Sequence, residues 1–335
     1  MNNKITIVVF LIMFKVGAQV SDFKHISFKK ANKIARLHKG ESLKNISTLT
    51  HKLTNELQTD VEKFRAIYLW ICKNVDYDFE IKQRISKKRD EYKTNPEKFI
   101  KWNIDYRKTI FKQLRENKKT VCTGYAYLLQ RMAFIAGIEC KLINGYGRNS
   151  LINTNEINYP NHTWNAVKLN NKWYLCDPTW SSGFLNEESE FIHLYNDGYF
   201  LTKPRLFARN HQPINRKWTL LDIPQSNTSF VSKPIVYDTT FQHNISPTFP
   251  DELFLQYESS QNINFEYRTE KQLNLNKISL IYFDKNDQEV SLPLSNILYH
   301  EGIIKFHTNI IKKGNFDVHL KFENDFIASY MIQIQ

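Results

Sequence analysis

Leu53, Leu57, Val61, Phe64, Ile67, Tyr68 and Ile71 recur at three- and four-residue spacing, and residues 28–72 read as helical. Asp60 and Glu62 fall near the start of its second half and Lys73 near its end, as the helix dipole prefers. Asn74 to Asp78 closes it with turn-forming residues. The charged stretch 81–119 predicts two further helices around Asn95-Pro96, and an apolar-striped helix follows over 122–136, ended by Gly137. Strands are predicted at 138–146, 162–169 and 173–177, then an irregular aromatic-rich segment over 180–225. From about residue 233 the pattern becomes short β-rich runs between polar turns, among them Leu253-Phe254-Leu255, Ile263 to Tyr267, Ile278 to Phe283, Ile303 to Phe306, Phe316 to Phe322 and Ile327 to Ile334. Six or seven strands in about 100 residues predict a small β-sandwich.

The first eighteen residues stand apart. Lys4 precedes a ten-residue apolar run from Ile5 to Phe14, and Val16-Gly17-Ala18 supplies short side chains for a signal peptidase. The expectation is a signal peptide over 1–18, cleaved after Ala18, and a secreted or periplasmic protein. Ten apolar residues are too few for a membrane-spanning helix, which needs about 20. No later stretch is long and apolar enough either, so no transmembrane segment is expected.

The 335 residues are 41% hydrophobic and 24% charged, the composition of ordinary globular protein, and their length suits two domains. The formal charge of +12 is the anomaly. Removing Lys4 and Lys15 leaves +10, and residues 82–119 alone hold 14 basic and 5 acidic side chains, a net +9. The basicity therefore belongs to one segment. It reads either as a solvated helical face or as a basic wall beside the site that follows it. With export expected, nucleic acid is not an expected partner.

Three segments carry chemistry: Val121-Cys122-Thr123-Gly124-Tyr125-Ala126, Asn161-His162-Thr163-Trp164 and Asp177-Pro178-Thr179-Trp180. Cys122 sits where a helix begins, and the positive helix end favours the thiolate that attacks carbonyls. Unpaired N–H groups of that turn can hold an oxyanion. Asn170-Asn171 suits a two-residue hairpin. Its register pairs Leu169 with Lys172, sets Trp164 opposite Asp177, and puts His162 diagonally across on the same sheet face. An imidazole oriented by a carboxylate, beside a thiol, is the apparatus of nucleophilic acyl transfer.

These residues resemble the transglutaminase-like superfamily, and within it the kyphoscoliosis-peptidase-like branch. The carrying motifs are Val-Cys-x-Gly-Tyr, His-x-Trp and Asp-x-Thr-Trp, with flanking likeness in Leu69 to Asp78, Tyr199 to Pro204, His211-Gln212-Pro213 and Trp218 to Leu221. The likeness covers about residues 53–225. Thr123 stands where a small or acidic residue is commoner, Thr163 where Ala is commoner, and the family's acidic residue near His211 is absent. The resemblance implies an α+β fold with a papain/transglutaminase-like core over 19–228, carrying the basic helical insertion 81–119. A C-terminal antiparallel β-sandwich, Ig-like, would cover 229–335. It implies Cys122, His162 and Asp177 as catalytic residues of a cysteine peptidase or protein-glutamine acyltransferase without a cofactor. The substrate would be a protein or peptide, acidic or envelope-associated. Some relatives act as interaction modules, so a non-catalytic scaffold using the same groove is the alternative.

Trp164, Trp180 and Tyr77 are candidates for the substrate cleft, with an indole N–H as a further oxyanion donor, against a core-packing role for the tryptophans. Cys72, Cys140 and Cys176 are expected to be buried and free. His193 and His211 could join His162 only in a metal site whose spacing nothing supports, so no metal is expected. Binding of acidic envelope glycans is a third reading, from charge alone.

Overall fold

The computed structural model describes residues 19–150 and 159–335. The expected signal peptide lies outside them. The first region runs α1 (Lys29–Leu37), α2 (Ile46–Thr54), α3 (Asp60–Asn74), β1 (Asp76–Tyr77), α4 (Phe79–Glu91), α5 (Pro96–Asn117), β2 (Lys119–Thr120), α6 (Cys122–Ile135) and β3 (Cys140–Gly147). It continues through β4 (His162–Leu169), β5 (Lys172–Cys176), α7 (Pro178–Ser182), β6 (Gly183–Leu185), β7 (Phe191–His193), α8 (Pro204–Phe207) and β8 (His211–Pro213). The single helical stretch expected over 28–72 is instead three helices. Gly40 turns the chain at φ +81°, and Thr59 starts α3 with a capping box closed by Glu62.

α3 is the central post of the core. Ten of its residues, from Val61 to Cys72, are buried, so it is covered on all sides rather than along one stripe. Its Tyr68 hydroxyl donates to the Asp177 carbonyl at 2.8 Å. The antiparallel sheet β5–β4–β3–β8 packs against α6, and Asn165 Nδ2 of β4 donates to the Ala126 carbonyl of α6 at 3.0 Å. The β4–β5 register matches expectation, with Leu169 opposite Lys172 and Asn165 opposite Cys176. Asn170 and Asn171 turn the hairpin at φ +49° and +61°.

The basic segment forms the hairpin α4–α5. Ile81, Ile110 and Val121 anchor it, and Phe111 of α5 stacks on Tyr127 of α6 at 4.4 Å.

Three short elements join the two regions: α9 (Asn227–Ser232), β9 (Ile235–Val236) and α10 (Asp238–His243). Beyond them come β10 (Ile245–Phe249), β11 (Phe254–Tyr257), β12 (Ile263–Thr269), β13 (Ile278–Phe283), β14 (Glu289–Leu292), β15 (Ser295–His300), β16 (Ile303–Thr308), β17 (Gly314–Phe322) and β18 (Asp325–Ile334). They form two sheets, β10–β12–β16–β15 and β11–β18–β17–β13–β14, around a second apolar core that includes Phe265, Tyr267, Leu280, Val318 and Tyr330. The sandwich is antiparallel as expected, with one parallel pair at its edge, where β11 runs beside β18. β9 adds to β18, while Thr239 and Thr240 of α10 donate to the Phe326 and Ile327 carbonyls, so the linker is stitched into the sandwich. The molecule is an α+β protein.

Candidate active site

Cys122 opens α6, and its N-cap Val121 supplies no side-chain acceptor. The Gly124 N–H is taken by the Val121 carbonyl, and the Cys122 and Thr123 N–H groups keep capacity for an oxyanion. Cys122 is half-buried, and the His162 side chain and the Thr163 backbone N–H both act on its thiol. Burial opposes ionisation, but the bond to His162, the charge of His162 and the Thr163 N–H together hold the Cys122 thiol below its ordinary value. The other three cysteines are free and buried, and for each of them burial outweighs whatever favours the thiolate. Burial pushes Cys140 up to about 12 and raises Cys72 and Cys176 as well.

His162 begins β4, and its Nε2 meets Asp177 Oδ2 at 2.6 Å. With Nε2 engaged by the carboxylate, Nδ1 is the ring nitrogen left to face the thiol. Burial disfavours the imidazolium, but the Asp177 charge and hydrogen bond outweigh it and raise His162 well above the ordinary imidazole range. Asp177 is fully buried at the N-cap of α7. Its Oδ1 accepts from the Thr179 N–H at 2.8 Å and the Trp180 N–H at 3.2 Å, while Oδ2 serves the imidazole. Burial alone would raise this carboxyl. The charge and bond of His162, then the bond from His211, keep it well below the usual carboxylate range.

The sequence offered His211 only as a metal ligand beside His162, a reading set aside on spacing, yet the structure brings it into this site. Its Nε2 lies 3.1 Å from the same Asp177 Oδ2, and its ring is buried. His162, Asp177 and His211 therefore form a cluster of metal-ligand type, while His193 is elsewhere, 2.8 Å from Asp76. Asp177 already receives two backbone N–H groups and faces two imidazoles, so hydrogen bonds account for the arrangement without a metal.

Of the three candidate cleft residues, Trp180 is placed best. It lies half-buried, stacked on His162 with centroids 4.5 Å apart, and lines a cavity of about 310 Å³ shared with Asp238 and Phe326. Trp164 is a correction: it is fully buried, 4.9 Å from the His211 ring and 6.0 Å from Phe207, and braces the site instead of lining a cleft. Both faces of β4 are covered, so a residue beside the site need not face solvent. Its buried indole N–H has no hydrogen-bond partner among the described residues. Tyr77 is half-buried. Burial and then the Cys122 charge raise its hydroxyl, while Arg89 of α4 acts in the opposite sense, so the basic hairpin reaches the neighbourhood of the nucleophile. Tyr159, just before His162, also donates to the Lys93 carbonyl at 2.9 Å.

Residues 47–178 match the transglutaminase-like superfamily. Kyphoscoliosis peptidase of Mus musculus is 36% identical over 188 residues, which cover 55% of this chain and 26% of that protein. Hillarin of Drosophila melanogaster is 25% identical over 243 residues, covering 68% of this chain and 27% of that protein. A solved structure titled "Crystal structure of a TGase" is 15% identical, with a TM-score of 0.29, and covers 54% of this chain and 41% of that one. Over residues 47–178 the chain is thus similar to transglutaminase-like domains, and over 188 residues to kyphoscoliosis peptidase. The matched region spans about a quarter of the length of these curated relatives.

Proposed function

We propose that the protein is a thiol acyl-transfer enzyme acting on peptide or glutamine carboxamide carbonyls. The observation that carries this reading is the assembled set of a half-buried Cys122 at the start of α6, its thiol ionised more readily under the influence of His162, with His162 held by Asp177 at 2.6 Å. The Cys122 thiolate forms a bond to the carbonyl carbon, and the first turn of α6 holds the resulting oxyanion. His162 then protonates the amine as the C–N bond breaks, leaving an acyl-thioester. Water or a lysine amine gives its proton to His162 as it releases the acyl group. Water completes a hydrolysis, and the amine completes a cross-link.

The substrate we infer is an acidic polypeptide. The support is charge: a groove of about 500 Å³ between α4 and α5 is lined by Arg84, Lys87, Lys88, Glu91, Trp102 and Tyr106, and Arg89 of the same hairpin acts on Tyr77 beside the nucleophile. We also read the protein as exported. Residues 1–18 carry that reading, and a mature N-terminus at Gln19 is its test.

The reaction is tested by incubating the protein with protein mixtures and sequencing products by mass spectrometry. New termini identify a peptidase, and new Gln–Lys links a transglutaminase. If the wild type and Cys122→Ala give the same products, the proposal fails and a non-catalytic scaffold remains.

A further inference from the structure

We propose that His211 is a positioning residue for the catalytic pair, donating from Nε2 to Asp177 Oδ2 and fixing that carboxylate beneath His162. The inference rests on the acyl-transfer reading above, since it assigns His211 to the same machinery without contact to substrate.

The geometry supports the role from several sides. Asp177 Oδ2 lies 2.6 Å from His162 Nε2 and 3.1 Å from His211 Nε2, so one oxygen is held between two imidazoles. An ionised carboxylate only accepts hydrogen bonds, and a bare ring nitrogen that close would be repelled. Oδ2 therefore requires a proton on His211 Nε2. The other ring nitrogen, Nδ1, lies 2.7 Å from the Asn210 side-chain amide, which can meet it with either its oxygen or its NH₂ group. Asn210 in turn lies 3.1 Å from the Tyr199 hydroxyl.

Packing removes the remaining freedom. The Phe207 ring stacks on His211 at 3.8 Å and 18°, Trp180 is 4.4 Å away, and Trp164 meets it edge-on at 4.9 Å. The backbone is fixed too, because His211 starts β8 opposite Gly147 on the edge of β3. With Oδ1 held by two N–H groups of α7 and Oδ2 by His211, Asp177 cannot rotate away when His162 moves its proton.

The test compares the pH dependence of Cys122 alkylation by iodoacetamide in the wild type, His211→Phe and His211→Gln. Phe fills the ring's place without a donor, and Gln restores an N–H. The expected result is a rise of about one unit in the Cys122 midpoint for His211→Phe, read as an alkylation rate about tenfold lower at pH 6, with His211→Gln near wild type. A wild-type profile in folded His211→Phe, or no recovery in folded His211→Gln, would overturn the proposal. Imidazole nitrogen NMR of the intact wild-type protein provides a second reading that needs no variant and no Cys122 reactivity. A proton on His211 Nε2 at pH 7 supports the role, and a bare Nε2 overturns it. Tight zinc binding by the wild type that His211→Gln abolishes would also overturn it, by making the three side chains a ligand set.

Discussion

The indole of Trp180 lies against the imidazole of His162, ring centroids 4.5 Å apart and planes 18° from parallel. A π face beside an imidazole favours its cation by about 0.5–2 kcal/mol. His162, raised to about 10, and Cys122, lowered from the ordinary thiol value, define a pH window in which thiolate and imidazolium coexist. Acyl transfer rises as Cys122 loses its proton below pH 9 and falls when His162, which protonates the leaving amine, loses its own near 10. Trp180→Ala is predicted to lower the alkaline limit of this window by about one unit, and Trp180→Phe to keep most of it. A pH profile of acyl transfer measures both.

His211 gives the stability a specific acid sensitivity. Burial first, with the His162 charge adding to it, pulls its value down to about 4. Between pH 6.5 and 4 the unfolded chain gains a proton at this residue that the native state refuses, so stability falls as pH falls. His162, with its native value raised, is protonated in both states over that interval, and its contribution stays constant there. The expected loss from His211 is on the order of 3 kcal/mol. Chemical denaturation at pH 7 and pH 4.5 should show a smaller difference in His211→Gln than in the wild type.

Gly124 sits two residues after the nucleophile, in the first turn of α6, with no room for a side chain. A Cβ there would lie 1.8 Å from Thr120 Oγ1 and 2.8 Å from Thr120 Cβ. Gly124→Ala must therefore push β2 away from the start of α6. The predicted cost is about 1–3 kcal/mol of stability, with slower Cys122 alkylation at neutral pH. Denaturant midpoints and alkylation rates read the two effects.

The α4–α5 hairpin concentrates charge where a polypeptide substrate would pass. Replacing Arg84, Lys87 and Lys88 together by Gln is predicted to weaken acidic-peptide binding at low salt by about tenfold, with little change near 1 M salt. Alkylation by a small neutral reagent should be unaffected. Equal peptide binding by variant and wild type across the salt series would refute the hairpin's role.

Local features made much of this site legible in the sequence. Two adjacent Asn residues fixed a two-residue hairpin, and that register put His162 and Asp177 on one face. The helix start at Cys122 was also readable, because Val121-Cys122 precedes an apolar stripe. His211 was readable only as a remote metal-ligand candidate, not as a partner of Asp177. It is 34 positions from Asp177 and arrives through a three-residue strand, His211-Gln212-Pro213, that adds to the edge of β3. Neither a three-residue strand nor its pairing partner leaves a periodic trace. Trp164 misled for a related reason, since β4 is covered on both faces and lacks the alternation that would mark an inward residue. The breaks between α1, α2 and α3 did leave signals, in Gly40 and in the Thr59–Glu62 capping box, but the apolar period running through them concealed those stops. The parallel pairing of β11 with β18 depends on where a long connection returns, which no local pattern records.

The central claim is that Cys122 is an activated nucleophile. Intact-protein and peptide mass spectrometry after limited exposure to an amide-mimicking thiol probe tests it most directly. The account predicts one adduct, on Cys122, that disappears in Cys122→Ala and forms far more slowly in His162→Ala. Labelling of Cys122 no faster than of Cys72 or Cys140 would contradict it.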